Sequence, residues 1–593
     1  MLLRNVIRWS CVLAITLNLT GCPFDQTTPA DLPQSRQEAW RFLTEATFGP
    51  SEADINRLMS IGYSAWIDEQ LAMPSQTTYR AFFEARDAEI RKDTPTTGAG
   101  QNQIVEAFYT KAITDPAQLR NRLVFALSEI FVVSLSDAKV NESPYMMVGY
   151  LDMLDQAING NYRQLLDGVA GSPAMGQYLS FRGNAKEDTS VGRSPDENFA
   201  RELMQLFSIG LYQLNQDGTQ ILDGTGKPIE TYTTDDVKGM AKVFTGWGNY
   251  RGSAYSGVTE WHCFFLFPDC LDIEGWYHPL VPYNTFHSVS EKRFLGTVIA
   301  PQSTPDVVSD TQTALDTLAK HANVAPNISK QLIQRLVTSN PSPAYVKRVA
   351  DRFVATNGSL PEVVKAILLD DEARSASTMA TASEGKLREP VLRLTAILRA
   401  FKVRTPHLPD PASPTVPVAG VQYVLMNQTS DAGTSLGQTP FYAPSVFNFF
   451  RPGYVMPQSA TAGLNLVAPE FQLVSESSIT GYINTIKDLL TVGIGPSSQI
   501  NHIWVPGVLL DVTEQRDLAY DSGTLIQHIA DRLLGGSISV DLSQAIKNVL
   551  DTMPVPAVNA DQSNGDAINA ALDTRARAAI LLVAASTEFL VQR

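Results

Sequence analysis

The residues best placed by type and spacing to do chemistry lie between Ser194 and Phe207, in the run Ser194-Pro195-Asp196-Glu197-Asn198-Phe199-Ala200-Arg201-Glu202-Leu203-Met204-Gln205-Leu206-Phe207. On a helix Asn198, Arg201, Glu202 and Gln205 stand at i, i+3, i+4 and i+7 and form one polar stripe, with Phe199, Leu203, Leu206 and Gly210 on the other side. Two readings fit this pattern. A stripe facing solvent needs only a Glu197 to Arg201 ion pair. A stripe facing a cleft makes Asn198, Arg201 and Gln205 binding groups and makes Glu202 and Glu197 an acid and base pair of the glycosidase kind, a mechanism that depends on carboxylate separation. Glu197 also has a structural role, since Ser194 caps, Pro195 takes the first helical position, and Glu197 closes a capping box. The next helix repeats this grammar with Thr233 and Asp236.

The second concentration of functional side chains is Phe244 to Phe286, with twelve aromatics in 43 residues against 9% for the chain and no helical period. Trp247, Trp261 and Trp276, with Tyr250, Tyr255, Tyr277 and Tyr283, offer the flat faces and polar edges on which sugars and partner proteins dock. The other reading is a satellite core that packs the segment onto the helices. Thr405 to Tyr454 is a further long segment without helical period, closing on Phe441, Tyr442, Phe447, Phe449, Phe450 and Tyr454. Both read as elaborated surface, because ordinary connections are much shorter.

Other catalytic patterns are excluded by context. Gly433-Thr434-Ser435-Leu436-Gly437 matches a nucleophile elbow, yet no buried strand precedes it and no helix follows. Ser383-Glu384-Gly385-Lys386 lacks the companion motifs of penicillin-interacting enzymes. Gly226-Lys227 lacks the upstream glycine of a phosphate loop, and no H-E-x-x-H occurs. Cys263 and Cys270, with six residues between them, point to a local disulfide in an oxidising compartment. His262, His278 and His287 lie nearby, but that cysteine spacing is too wide for an ordinary zinc site, so neither metal nor cofactor is indicated.

The elements that must position these groups are mostly helical. Trp40, Leu43, Phe48, Ile55, Leu58, Ile61, Trp66 and Leu71 recur at helical spacing, and Leu119 to Val133 reads as a buried helix stopping near Ser134. Further helical patterns run over about 145–166, 195–209, 234–245, 310–321, 327–337, 343–356, 361–373, 386–402, 478–492, 516–534, 541–552 and 566–590. Strand signals are confined to Leu211 to Glu230, where Asp217-Gly218 and Asp223-Gly224 predict a hairpin. The expected architecture is a mostly α, multi-helical body over 37–400 carrying the hairpin and aromatic insert (about 211–290), a Pro/Gly/aromatic segment over 401–460, and a helical part over 461–593.

At the N-terminus Arg4 and Arg8 precede an apolar run from Cys11 to Leu19, too short to span a bilayer, and then Leu19-Thr20-Gly21-Cys22. That ending resembles the lipobox of bacterial lipoproteins, which makes 1–21 a signal peptide, Cys22 a lipidated anchor and 22–36 a tether. Pro23 in the following position resembles cargo forwarded to the outer membrane. The formal charge of -15 disfavours nucleic acid and anionic lipid as partners. The expected location is the cell envelope, facing the periplasm or the exterior.

These motifs together resemble a bacterial family known as domain of unknown function 1800. The likeness is carried by Arg41-Phe42-Leu43 with Ala46-Thr47-Phe48-Gly49-Pro50, by Glu197-Asn198-Phe199-Ala200-Arg201-Glu202-Leu203-Met204, and by Tyr232-Thr233 with Asp236-Val237. Phe244-Thr245-Gly246-Trp247, Leu436-Gly437-Gln438 with Pro440-Phe441, and Ser586-Thr587-Glu588-Phe589 extend it over about 37–593. The resemblance implies a large exported helical protein encoded beside a sulfatase-like or alkaline-phosphatase-like exported protein. The chain departs from the family where His287-Ser288 replaces a His-Asp pair and where Ser445-Val446-Phe447-Asn448-Phe449-Phe450 replaces a Val-Gly-Trp type ending. The function expected from these features is binding or assembly in the envelope beside that sulfatase-like partner; the alternative is an envelope glycan hydrolase using Glu202 and Glu197.

Overall fold

In the computed structural model, residues 31–252, 255, 257–266, 273–375, 384–407, 422–500, 503–505 and 507–593 are described. Helices dominate, and the sheets among the described residues are pairs of very short strands. The opening helices Arg36–Ala46, Glu52–Ile61 and Tyr63–Ala72 bury Trp40, Leu43, Ile55, Leu58, Trp66 and Leu71 as their spacing predicts, and Phe48 is buried in the connection between the first two. Ser35 caps the first helix through Glu38 N, and Ser51 and Asp54 form a capping box on the second.

Gln118–Ile130 lies at the centre and is buried on every side, its charged residues included. It stops at Ile130. Beyond it the Ser134 hydroxyl donates to the Ala443 carbonyl at 2.6 Å, and Leu135 N donates to the Phe441 carbonyl at 2.8 Å. One buried apolar cluster runs from Ala39 through this helix to Phe589. The C-terminal end is stitched into it by Val591–Gln592, which pairs antiparallel with Lys386–Leu387.

Several expected elements are divided by caps. The pattern over 145–166 is two helices, Pro144–Ala157 and Tyr162–Gly171, because Asn161 and Gln164 form a capping box at a new start. Likewise 516–534 divides into Thr513–Leu518 and Ser522–Leu533, where Asp521 accepts from Thr524 N. The helix at 195–209 is shorter than expected, Asn198–Gln205, and the Ser194 to Glu197 capping box does not form. Asp196 takes over that role, its Oδ1 accepting from Asn198 N at 2.8 Å.

The predicted hairpin at Leu211 to Glu230 is a small cloverleaf. Tyr212 bridges Glu230 at its base, while Leu214–Gln220 and Leu222–Pro228 close two tight turns. Gly218 and Gly226, rather than Gly224, supply the left-handed backbone. Strand pairing is not confined to this lobe: Lys292–Phe294 and Thr297–Ile299 form a hairpin around Leu295-Gly296, both at positive φ.

The segment after Thr405 differs most from expectation. Residues 422–454 have no helix or strand, yet Tyr423, Val424, Leu425, Met426, Leu436, Phe441, Tyr442 and Phe450 are buried in the core. An irregular chain can run there because side chains satisfy its backbone. Thr110 Oγ1 accepts from Val424 N at 2.9 Å, Thr439 Oγ1 from Thr429 N at 2.7 Å, and the Thr429 hydroxyl donates to the Gln438 carbonyl at 2.5 Å.

Helix Thr234–Val243 lies so close to the 292–299 hairpin that a Cβ on Gly239 would stand 1.7 Å from the Arg293 carbonyl oxygen. Gly239→Ala therefore destabilises the protein by about 1–3 kcal/mol, as overpacking does, read as a lower denaturant midpoint with an unchanged slope.

Candidate functional site

A cavity of about 650 Å³ opens between the Gln118–Ile130 helix, the end of Asn198–Gln205, the cloverleaf, the Val324–Leu336 helix and the 446–453 loop. Its size suits a small organic ligand. Lys330, Arg335 and Arg451 line it, and Glu129 is its one carboxyl group among the described residues. Gln205, Gln220, Asn327, Gln331 and Gln334 add amides, and Leu211, Leu214 and Phe447 an apolar wall.

The floor is built from groups far apart in sequence. Glu129, 4% exposed, receives Asn448 Nδ2 on Oε1 at 3.2 Å, while Oε2 stands 3.8 Å from Arg335 Nη1. The Arg335 guanidinium lies over the Phe450 ring, 4.4 Å from its centroid. Behind Glu129 is Glu389, fully buried, whose Oε2 accepts from Gln438 Nε2 at 2.6 Å. The remaining oxygens, Glu129 Oε2 and Glu389 Oε1, have no conventional donor. The two carboxyl groups are pushed in opposite directions: burial and the neighbouring Glu389 push Glu129 up to about 8, while burial is outweighed at Glu389 by Lys386, the hydrogen bond from Glu129 and two arginines, which hold it below the usual carboxylate range. Lys386 is itself fixed, donating to the Gln334 and Arg335 carbonyls at 2.9 and 3.0 Å and pairing with Glu470 at 3.2 Å.

At the cavity wall Lys330 makes no hydrogen bond or ion pair among the described residues, and burial draws its ammonium below the ordinary lysine range. Asn327 is anchored by donating to the Ser208 carbonyl at 2.8 Å, and Gln334 by donating to those of Ser339 and Pro452 at 2.9 and 3.2 Å. The chemistry available is recognition of an anion by cations and amides, beside a carboxyl group kept neutral.

Of the stripe singled out in the sequence, Gln205 reaches this cavity and accepts from the Tyr232 hydroxyl at 3.0 Å. Glu197 and Arg201 form the anticipated ion pair at 3.1 Å, and Asn198 lies exposed beside Ser180. Glu202 is buried at 7% exposure, its Oε2 unpartnered, and burial raises its carboxyl. Neither Glu197 nor Glu202 lines the cavity.

The tryptophans stand apart from it. Trp247 Nε1 donates to Thr311 Oγ1 at 3.0 Å with its ring against the main core, where Trp276 also packs. Trp261 is 55% exposed and leans on Phe265. The segment carries a satellite core of Ala185, Cys263, Phe264 and Tyr283, with Phe264 stacked on Phe286 at 4.2 Å. Cys263 is buried; Cys270 and Cys22 lie outside the described residues. His287 is also structural in setting, its Nε2 3.0 Å from Asp310 Oδ2 and its Nδ1 2.7 Å from the Thr245 carbonyl, with Lys292 on the same carboxylate at 2.7 Å.

Glu129, Arg335, Glu389 and Asn448 were missed by sequence reasoning. The available signal was local: Arg122 and Glu129 stand at i and i+7 on one face of a helix, flanking the apolar run Leu123 to Leu127.

The family described as protein of unknown function (DUF1800) matches residues 41–591, nearly the whole chain, and the protein belongs to that family. No curated protein and no solved structure matches it.

Glu129 makes the floor testable by pH. The folded protein retains a proton that the unfolded chain, with an ordinary carboxyl near 4.5, releases, so this group's contribution to stability falls as pH rises from about 4.5 to 8. Glu129→Gln, which keeps a donor toward Glu389, removes that loss. Its melting temperature relative to wild type is expected to climb across this window and level off above it, whereas loss of an ionised Glu129 to Arg335 pair would destabilise most at neutral pH.

Proposed function

We propose that this family member is a lipid-anchored binding protein of the cell envelope that holds an acidic glycan in the 650 Å³ cavity. The observation that carries the reading is the convergence of Lys330, Arg335 and Arg451 on a cavity whose single carboxyl group among the described residues, Glu129, is held neutral. An anion there would restore the depressed Lys330 ammonium and complete the charge balance. The amides suit hydroxyl groups, and Phe447 with Leu211 and Leu214 suits the apolar face of a sugar ring. Cys22 would carry the lipid, a Cys263 to Cys270 bridge would stiffen the aromatic segment, and the exposed face of Trp261 would meet the sulfatase-like exported protein.

The hydrolase reading on Glu202 and Glu197 has less support, since Glu197 is engaged by Arg201 and neither lines the cavity. Calorimetric titration with uronate-containing and neutral oligosaccharides of equal length tests the proposal. Acidic oligomers are expected to bind, and Lys330→Gln and Arg451→Gln each to weaken them by roughly tenfold, the scale of one charged hydrogen bond. Equal binding of neutral oligomers, or acidic binding untouched by both substitutions, would refute it. Cys22→Ser is expected to move the protein from the membrane to the soluble envelope fraction.

A further inference from the structure

A second charge imbalance lies on another part of the molecule, independent of the cavity just described. Arg388 is 3% exposed, yet among the described residues its side chain has no hydrogen-bonded partner and no carboxylate in ion-pair reach. Its guanidinium lies between ring faces, 5.4 Å from the Trp40 centroid and 5.0 Å from that of Phe589. Arg393, of like sign, adds its charge nearby, and its Nε donates to the Arg388 carbonyl at 2.7 Å. Burial, partly offset by Tyr482 and reinforced by Arg393, draws Arg388 down to about 10. Aromatic faces soften such a charge but do not replace a counter-ion, and a buried cation without one is strongly unfavourable.

The side chain opens into a pocket of about 370 Å³ that Gln37, Trp40, Arg41, Thr587 and Arg593 also line. Arg41 adds a second guanidinium, its Nε unpartnered and one Nη donating to the Arg374 carbonyl at 3.3 Å. Glu45, its natural counter-ion, is driven toward the neutral form by burial. The only acidic side chain lining the pocket among the described residues, Glu588, is already engaged by Ser539, through the backbone N at 3.2 Å and the hydroxyl at 2.5 Å. Three arginines thus line the pocket with one occupied acidic side chain.

We propose that this pocket binds a phosphoryl group, which supplies the negative charge that Arg388 lacks among the described residues. Guanidinium forks match both carboxylate and phosphate oxygens. Three arginines around one pocket, with Thr587 and Gln37 beside them, favour the larger charge and tetrahedral oxygens of phosphate over one planar carboxylate. Gln37, Trp40 and Arg41 belong to the first helix of the body, directly after the expected tether. The phosphoryl group could therefore belong to a lipid headgroup or to a soluble phosphate ester.

Thermal unfolding of the full protein in detergent distinguishes the outcomes. Sodium phosphate is expected to raise the melting temperature by several degrees over sodium chloride of equal ionic strength, the rise growing with the logarithm of concentration. Arg388→Met should abolish that rise while leaving the unliganded protein as stable or more stable, because an uncompensated buried charge is removed. If that variant does not fold, Arg593→Gln, at an exposed position, must reduce the phosphate response. A larger response to short-chain phosphatidic acid than to inorganic phosphate supports a lipid headgroup, and the reverse supports a soluble ester. No rise beyond chloride with either probe, or a rise that survives both substitutions, overturns the proposal.

Discussion

The structure depends on the requirement that the central helix, buried on all sides, find partners for its own charges. Gln118–Ile130 carries Arg120, Arg122 and Glu129 into an interior where an unpaired ion is strongly disfavoured. Asp155 answers Arg120 at 2.6 Å from the neighbouring helix. Arg122 donates to the Arg335 carbonyl at 2.7 Å, and Glu129 meets Arg335, Asn448 and Glu389. The distant segments 323–336, 386–400 and 438–450 are drawn to one place by these demands. Gln592 closes the arrangement by donating to the Leu336 and Val337 carbonyls at 2.8 and 2.9 Å, so the chain's last strand is fixed by the same centre.

That centre also produces the cavity. Helices that converge on a bulky polar cluster cannot close over it as apolar faces would, and the space is left on the side where Glu129 and Arg335 emerge. The cloverleaf walls the space because Asn323 ties it to the helix Val324–Leu336: its Nδ2 donates to the Ile209 and Tyr212 carbonyls at 2.8 and 2.7 Å, and its Oδ1 accepts from Leu214 N at 3.0 Å. One asparagine at the mouth of that helix therefore sets where the amides and leucines of the lobe stand.

What was legible in the sequence was what is local. The mostly α character, the capping box at Thr233 and Asp236, the Glu197 to Arg201 pair and the buried face of the opening helices all arise within four or so residues. Family membership was legible for a related reason, since its motifs are contiguous. The cavity floor was not legible, because Asn448 meets Glu129 across 319 positions and each residue alone resembles an ordinary surface polar group. Gln205 was reached by helical spacing, but Glu202, one stripe position away, turns into the protein. The segment 422–454 misled for a different reason: its Gly, Ser and Thr content signals loop, and only tertiary hydrogen bonds show that the loop is interior.

Backbone strain in that interior loop follows from the same centre. Phe441 at φ 66° and Asn448 at φ 62° occupy the left-handed region, which for a bulky residue such as Phe costs on the order of 1–3 kcal/mol. Burial of the Phe441 ring, edge-on to Tyr79 and Phe108 at 6.0 and 5.5 Å, returns a similar amount, about 1.5–3 kcal/mol. Asn448 has no such apolar return, and its hydrogen bond to Glu129 at 3.2 Å is what its strained backbone secures. That bond occupies Oε1 and leaves Oε2 without a conventional donor, 3.8 Å from Arg335 Nη1. Burial on the central helix and the neighbouring Glu389 keep the Glu129 carboxyl neutral, while the loop's amide fixes how that carboxyl is presented at the cavity floor beside its cations.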